Sequence, residues 1–303
     1  MNTNRHRILA LIGSRGMLAQ KVRLLAPAGY EVHGLGRPDF DLSDPRSVHA
    51  ALEVLRPAVI VNCAACTDVD GCESHADQAF RVNGEGPGAL ATAARDLDAT
   101  LVHVSTDYVF AGDGSVPYRE EDPTVPRTVY GRSKLAGEEA IVASGLERYF
   151  IVRTSWLFGP GGGNFVETMV RLANEREELR VVADQVGSPT YTGDLARAIF
   201  NLLALEEGPE SQSGHCPYGL YHFANSGVCS WHGFAETIVA LARESGEPVE
   251  TARVVPITTA DFPRPAPRPA YSVLDTNKYR RATGKKIPPW QDALQRYFAE
   301  RGK

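Results

Sequence analysis

Ser105-Thr106-Asp107-Tyr108-Val109-Phe110 follows the apolar run Leu101-Val102-His103-Val104, and Tyr130-Gly131-Arg132-Ser133-Lys134 lies a short way beyond. The first piece reads as a short buried strand ending in hydroxyl and carboxylate groups. The second reads as the opening turns of a helix that continues through Leu135, Ala136, Glu139, Ala140 and Val142. Four residues apart on that helix, Tyr130 and Lys134 share a face, with Cβ atoms about 5–6 Å from one another. A phenol ordinarily titrates near pH ~10. A fixed ammonium beside it favours the phenolate and lowers that value, which brings Tyr130 toward the range of a general acid–base. Ser105 and Thr106 alternate across an extended strand, so at most one faces the same cleft. Thr106 is the candidate to hold a carbonyl oxygen against the phenol. Alone, Tyr-x-x-x-Lys is a common accident of exposed helix faces; the rest of the chain gives it weight.

Arg7–Ile12 reads as a continuous apolar strand, followed by Gly13-Ser14-Arg15-Gly16-Met17-Leu18-Ala19 and a helix over Ala19 to Leu25. Strand, Gly-x-x-Gly-x-x-Ala, helix is the arrangement that lays a pyrophosphate on a helix N-terminus. Gly13 permits the tight turn, and Gly16 lets the backbone approach phosphate. The second strand, Glu31–Gly36, ends without the carboxylate that dinucleotide folds use to hold a ribose 2′-hydroxyl. Arg37 follows directly and suits a 2′-phosphate, which favours NADPH. Asp39 or Asp41 could still reach the ribose, so NADH stays open. Asp44 can cap the next helix, with Pro45 at its first position. Ala58–Ala64 reads as a third buried strand, and helical signals run from Ala76 to Leu97, interrupted by Gly84, Gly86 and Pro87. Alternating strands and helices predict an α/β fold with a doubly wound parallel sheet. Ligands in such sheets sit at the carboxyl ends of strands. The Gly13 turn, the Cys63–Thr67 loop and Thr106 all fall at such ends.

The C-terminal half offers a strand over Phe150–Trp156, a flexible Gly161-Gly162-Gly163-Asn164, and a helix over Phe165–Glu177. A strand over Leu179–Val182, a helix over Asp194–Leu205, a loose loop over Gly208–Pro217, a strand at Tyr221–Phe223 and a helix over Trp231–Arg243 follow. Pro263–Pro269, with Arg264 and Arg268 interleaved, reads as an ordered arm. Arg268 suits either a phosphate or a surface ion pair. Trp156 suits either a platform for a sugar face or a place in the core. His103 and His222 lie in apolar strands and read as core residues.

With 303 residues, 43% hydrophobic and 23% charged, the chain has ordinary globular composition. Its net charge of −5 and lack of a basic run argue against nucleic acid or a membrane surface as partner. No segment approaches the roughly 20 apolar residues of a membrane span, and the run Ile8–Ile12 is too short for a signal sequence. A cytoplasmic location is expected. Cys63, Cys66 and Cys72 cluster, with Cys216 and Cys229 far away; without a second Cys-x-x-Cys pair, no metal site is expected.

With these residues assembled, the chain resembles extended short-chain dehydrogenases/reductases and, more narrowly, the dTDP-4-dehydrorhamnose reductase family. The resemblance rests on Val61-Asn62-Cys63-Ala64-Ala65-Cys66-Thr67-x-Val69-Asp70, Ser105–Phe110, Tyr130–Glu138 and Arg153-Thr154-Ser155-Trp156. Asp184–Thr190 and Arg268–Asp275 extend it. It implies a Rossmann domain over 1–155, to which part of 190–225 returns, and a smaller C-terminal substrate-binding domain over 156–303. It implies Tyr130 as proton donor, Lys134 as its electrostatic partner and holder of the nicotinamide ribose, and Thr106 as partner of the reacting oxygen. Thr106, Asp107 and Trp156 would contact a dTDP-linked ketosugar. Arg15, Gly16, Met17, Asp41, Leu42, Ala65, Cys66 and Thr67 would line the cofactor. The third fingerprint glycine is Ala19, and two family alanines are Cys63 and Cys66. Some members form a magnesium-bridged dimer through glutamates; Gln20 stands in that neighbourhood, so magnesium rests on resemblance alone, and monomer and homodimer both stay open. Reductases or epimerases of other nucleotide-linked ketosugars share these parts; a regulatory NADP-binding subunit shares the fold, but Thr106, Tyr130 and Lys134 together argue against it.

Overall fold

The computed structural model describes residues 6–207 and 217–301. Cys216 and all but the last residue of the loop expected over Gly208–Pro217 lie outside them. Among the described residues, six parallel strands form the central sheet: β1 (Arg7–Ile12), β2 (Tyr30–Leu35), β3 (Val59–Asn62), β4 (Thr100–Thr106), β5 (Tyr149–Thr154) and β10 (Gly219–His222). Their spatial order is β10-β5-β4-β3-β1-β2. The chain leaves β1 toward β2 and then crosses back to β3 on the other side, so the topological switch point lies between β1 and β3. Leu9–Ile12 and Val59–Val61 are completely buried, as strands covered by helices on both faces must be. Each of their Leu, Ile and Val side chains contributes roughly 1.5–3 kcal/mol on leaving water.

Helices α1 (Met17–Leu25) and α8 (Thr192–Leu203) pack together on one face, while α2 (Pro45–Leu55), α5 (Gly86–Asp96) and α6 (Val129–Ala143) cover the other. Asp44 caps α2 through a bond from Arg46 N–H at 3.0 Å, with Pro45 opening the helix. The glycines and proline expected to interrupt the helix before β4 do so only mildly. The chain runs through α3 (Val69–Ser74) and α4 (Ala76–Phe80), widens into a π turn at Arg81–Glu85, and continues directly into α5. A π turn absorbs one extra residue without ending a helix, and it stands directly before Pro87, which has no N–H to donate to the turn behind it.

A second core gathers Phe158, α7 (Phe165–Ala173), α9 (Trp231–Glu244) and α11 (Trp290–Arg301) beside a parallel pair, β7 (Glu178–Val182) and β12 (Arg253–Ile257). Three of these later elements carried no clear signal: β12, α10 (Asn277–Thr283) and α11. Pro256 within β12 reads against a strand and is tolerated because the strand pairs with β7 alone. Among the described residues, no helix is long and apolar enough to cross a membrane.

Candidate active site

A cleft of about 750 Å³ opens along the carboxyl ends of β1, β3, β4 and β5. Its floor at the switch point is the Gly13 turn. Gly13 has φ +74°, and a Cβ there would stand 2.8 Å from Ala64 Cα and N. Only glycine lets these two strand ends meet so closely. Helix α1 begins after Gly16 with no acidic residue in its first turn, leaving the positive end of its dipole facing the cleft.

At the other end, α6 begins where Thr128 accepts a bond from Gly131 N–H at 2.9 Å. Gly131 lies so close to Tyr108 O that any Cβ would overlap it; this contact seats the helix against the end of β4. Tyr130 and Lys134 line the cleft together with Thr106 and Asp107. Thr106 ends β4, donates to Asp107 Oδ1 at 2.9 Å and accepts from Tyr108 N–H at 3.2 Å. Ser105 instead donates to Glu138 Oε1 at 2.5 Å, within a buried pair that Glu138 makes with Arg153. Ser105 and Thr106 both border the cleft, but the Ser105 hydroxyl is engaged with Glu138, which leaves Thr106 as the hydroxyl available at the site.

The electrostatics differ from expectation at the tyrosine. Burial pushes the Tyr130 phenol well above its ordinary range, opposed by the Thr106 hydroxyl. The Lys134 amine is itself lowered to about 8, chiefly by burial, with Glu138 and Cys63 opposing. It donates to Val104 O at 2.7 Å and meets His103 Nε2 at 3.0 Å. Burial outweighs the lowering expected from Tyr-x-x-x-Lys. Burial raises the Asp107 carboxyl to about 6, eased by the Thr106 hydroxyl that bonds it and by the nearby Ser272, whose Oγ makes no hydrogen bond among the described residues. Its Oδ2 has no hydrogen-bond partner among the described residues. Burial also pushes the Cys63 thiol up to about 12, which leaves it unreactive.

Of the residues read as cofactor-binding, Gly13, Arg15, Gly16, Met17, Arg37 and Asp41 line the cleft, as do Leu42, Ala65 and Thr67. Cys66 does not. Asn83 grips its backbone from both sides, accepting from its N–H at 2.8 Å and donating to its carbonyl at 3.0 Å, and its Sγ faces Cys72 Sγ at 3.6 Å. Asp41 is held below the usual carboxylate range by bonds from Ser43 N–H and hydroxyl. Arg37 and Asp41 also border an adjoining cavity of about 760 Å³ that includes Ser43, His75 and Arg81.

Trp156 lines the cleft with φ +47°, an uncommon conformation for a large residue. Trp231 holds it there, stacked at a centroid distance of 3.5 Å. Trp231 was legible only as the start of a helix. The glycines Gly161–Gly163 also border the cleft, opposite Met17. The arm carrying Arg264 and Arg268 is ordered, both guanidiniums pairing with Asp70. Burial would raise Asp70, but bonds from Arg268, Ala266 N–H and Arg264 outweigh it and hold the carboxylate near about 2. Arg268 is thus an ion-pair partner here. His222 is buried against Tyr118 O at 3.1 Å, a core residue as expected. His103 is equally buried, yet its ring touches Lys134; nothing in the local pattern marked that contact.

These residues do not fit a magnesium site. Among the described residues, no group of three His, Cys, Asp or Glu side chains could hold a metal. The Gln20 amide donates to Arg15 O at 3.0 Å and Gly161 O at 3.3 Å.

The model of the RmlD substrate binding domain matches residues 6–302. The chain is 45% identical over 290 residues to the spore coat polysaccharide biosynthesis protein SpsK of Bacillus subtilis, covering 95% of this chain and 96% of that one. It is 44% identical over 288 residues to a dTDP-4-dehydrorhamnose reductase of Streptomyces griseus, covering 94% and 91%. The crystal structure of a dTDP-4-dehydrorhamnose reductase from Bacillus anthracis in complex with NADP superposes with a TM-score of 0.88 at 38% identity, covering 97% and 99%. With this agreement of sequence, fold and cleft, the chain belongs to the RmlD family of dTDP-4-dehydrorhamnose reductases, enzymes of the nicotinamide-dependent Rossmann type.

Proposed function

We propose that this chain reduces the C4 ketone of dTDP-4-dehydrorhamnose, a dTDP-linked 6-deoxy-4-ketohexose, to give dTDP-L-rhamnose, using NADPH. The observation that carries this reading is the meeting of Thr106, Tyr130 and Lys134 in one cleft with the Gly13 turn. The residues fit the cofactor. The Gly13–Met17 turn and the N-terminus of α1 suit a pyrophosphate. Arg37, bordering both the cleft and the adjoining cavity with Arg81, suits a 2′-phosphate. A bound reduced nicotinamide would supply the hydride.

The protein's own groups handle the proton. Burial keeps Tyr130 a neutral phenol, which suits an acid that must give its proton to an alkoxide forming at C4. Thr106 already directs its hydroxyl proton to Asp107; a carbonyl placed against Thr106 would redirect it. Asp107 Oδ2, without a partner among the described residues, is then available to a sugar hydroxyl, and Trp156 lines the same cleft. The separate cores of the central sheet and of the later elements support the division at about residue 155, with α8 and β10 returning to the first part.

The test is NADPH oxidation followed by absorbance, with the ketosugar nucleotide generated in situ, repeated with NADH and with a chelator. Turnover that prefers NADPH and ignores the chelator is the expected result. Lack of turnover by folded, NADPH-binding protein would overturn the substrate. Copurification of tightly held NAD would instead indicate an epimerase.

A further inference from the structure

Lys134 stands at the end of a hydrogen-bond chain whose direction is fixed at its far end. The main-chain N–H of Ala64, in the cofactor loop, can only donate, and it reaches Asn62 Oδ1 at 3.0 Å. That bond sets the Asn62 amide, so Nδ2 is the atom facing His103 Nδ1 at 3.0 Å. Because Nδ2 donates, Nδ1 must accept, and the single ring proton of a neutral imidazole belongs on Nε2. His103 is completely buried, and burial together with Lys134 keeps it neutral. Its Nε2–H therefore points at Lys134 Nζ, 3.0 Å away. An ammonium carries three donors and no acceptor, so donor would meet donor there. A neutral amine accepts from Nε2–H and still donates to Val104 O.

We infer that His103, oriented by Asn62, is a positioning residue that makes the Lys134 ammonium a readier proton donor to Tyr130, because the chain is complementary to the amine left behind. The purpose of this device rests on the proposed reduction. As the new alcohol forms, the Tyr130 O–H bond breaks and the O–H bond at C4 forms. A Lys134 N–H bond then breaks, directly or through a bridging hydroxyl, and the phenol is restored. The amine accepts from His103 until a solvent proton returns it to the ammonium. No electrons move beyond the hydride already invoked. The groups that bear on Lys134 are His103 on β4, Cys63 after β3 and Glu138 on α6, with Arg153 on β5 paired to Glu138 and Tyr130 lining the same cleft. Burial lowers the amine to about 8 against the pull of Glu138, the direction the chain requires.

The experiment uses the free protein labelled with 13C at lysine Cε, with Lys134 assigned by the signal lost in Lys134→Arg. Its titration should show a midpoint near about 8. In Asn62→Asp, a carboxylate accepts from both Ala64 N–H and His103 Nδ1–H, turning the Nε2 lone pair toward the ammonium. The midpoint should rise by about one pH unit or more, a tenfold change in proton affinity. His103→Leu adds no charge and should also raise it. Ring 15N shifts of His103 in the unaltered protein should show the Nε2–H tautomer, a readout that survives if either variant fails to fold. An Nδ1–H tautomer, or unchanged midpoints in folded variants, overturns the inference. These readouts need no substrate, so failure of the assay with the ketosugar bears on the substrate and leaves the chain to be judged on its own.

Discussion

The two walls of the cleft are built by different means. On the cofactor side, Gly13 meets Ala64 backbone against backbone, and the residues involved come from turns that directly follow β1 and β3. On the substrate side, Trp156 is held by Trp231, and Asp107 has Ser272 nearby. A wall of close backbone contacts is specified locally and tolerates few side chains. A wall of distant side-chain pairs is specified only when the whole chain has folded, and its parts can be altered one at a time. Tyr130 belongs to neither. It rides on α6, seated by Gly131 against Tyr108 O, where both walls meet.

If that division is real, substitutions should separate cofactor binding from turnover. Tyr130→Phe should have the largest effect, lowering kcat by about 10²–10⁴-fold while NADPH affinity, measured by calorimetry, changes little. Equal losses in both would show that the walls are coupled through the tyrosine. Gly13→Ala attacks the cofactor wall. Its left-handed backbone costs about 1–2 kcal/mol with a Cβ, and the overlap with Ala64 adds about 1–3 kcal/mol. A lower thermal midpoint and weakened NADPH binding should appear together. Arg37→Ala should act more narrowly, reducing the preference for NADPH over NADH by roughly the 1.5–3 kcal/mol of a charge-assisted bond without altering kcat at saturation. Equal effects on both cofactors would remove Arg37 from the 2′-phosphate.

The same contrast explains what could be read in advance. The alternating strands and helices, the Gly13 turn and the shared face of Tyr130 and Lys134 follow from short-range rules of period and spacing, and the structure has each of them. Leu42 and Ala65 likewise fall on the cleft. Cys66 does not, because Asn83 captures its backbone from the π turn, a contact no local pattern encodes. The tyrosine's acidity departs from expectation for a related reason. Helical spacing gives the face that Lys134 occupies, yet its amine is directed by Val104 O and His103 on β4. The last helix and β12 went unread because their stabilising contacts are with distant elements, and Pro256 spoke against a strand.

Asp107 gives the smallest effect and the finest division between the walls. Its folded value of about 6 lies above the ordinary 3.8 because burial disfavours the carboxylate. The folded protein therefore holds this proton more tightly than the unfolded chain. Its contribution to stability is fully present below about pH 4, is lost as pH rises through about 6, and stays lost above that. Asp107→Asn keeps the shape and removes the titration, so the difference in urea midpoint between variant and parent should change across that interval and be flat on either side. Function should follow the same group. Above about 6 the carboxylate only accepts, and its free Oδ2 suits a sugar hydroxyl; below, the protonated acid loses that partner in part. KM for the sugar nucleotide should rise as pH falls through about 6, modestly and only in the parent protein, whereas the dissociation constant of NADPH should show no inflection in either. An inflection in cofactor binding that disappears with Asp107→Asn would mean that this carboxylate serves both walls, and the boundary between them would have to move to Thr106.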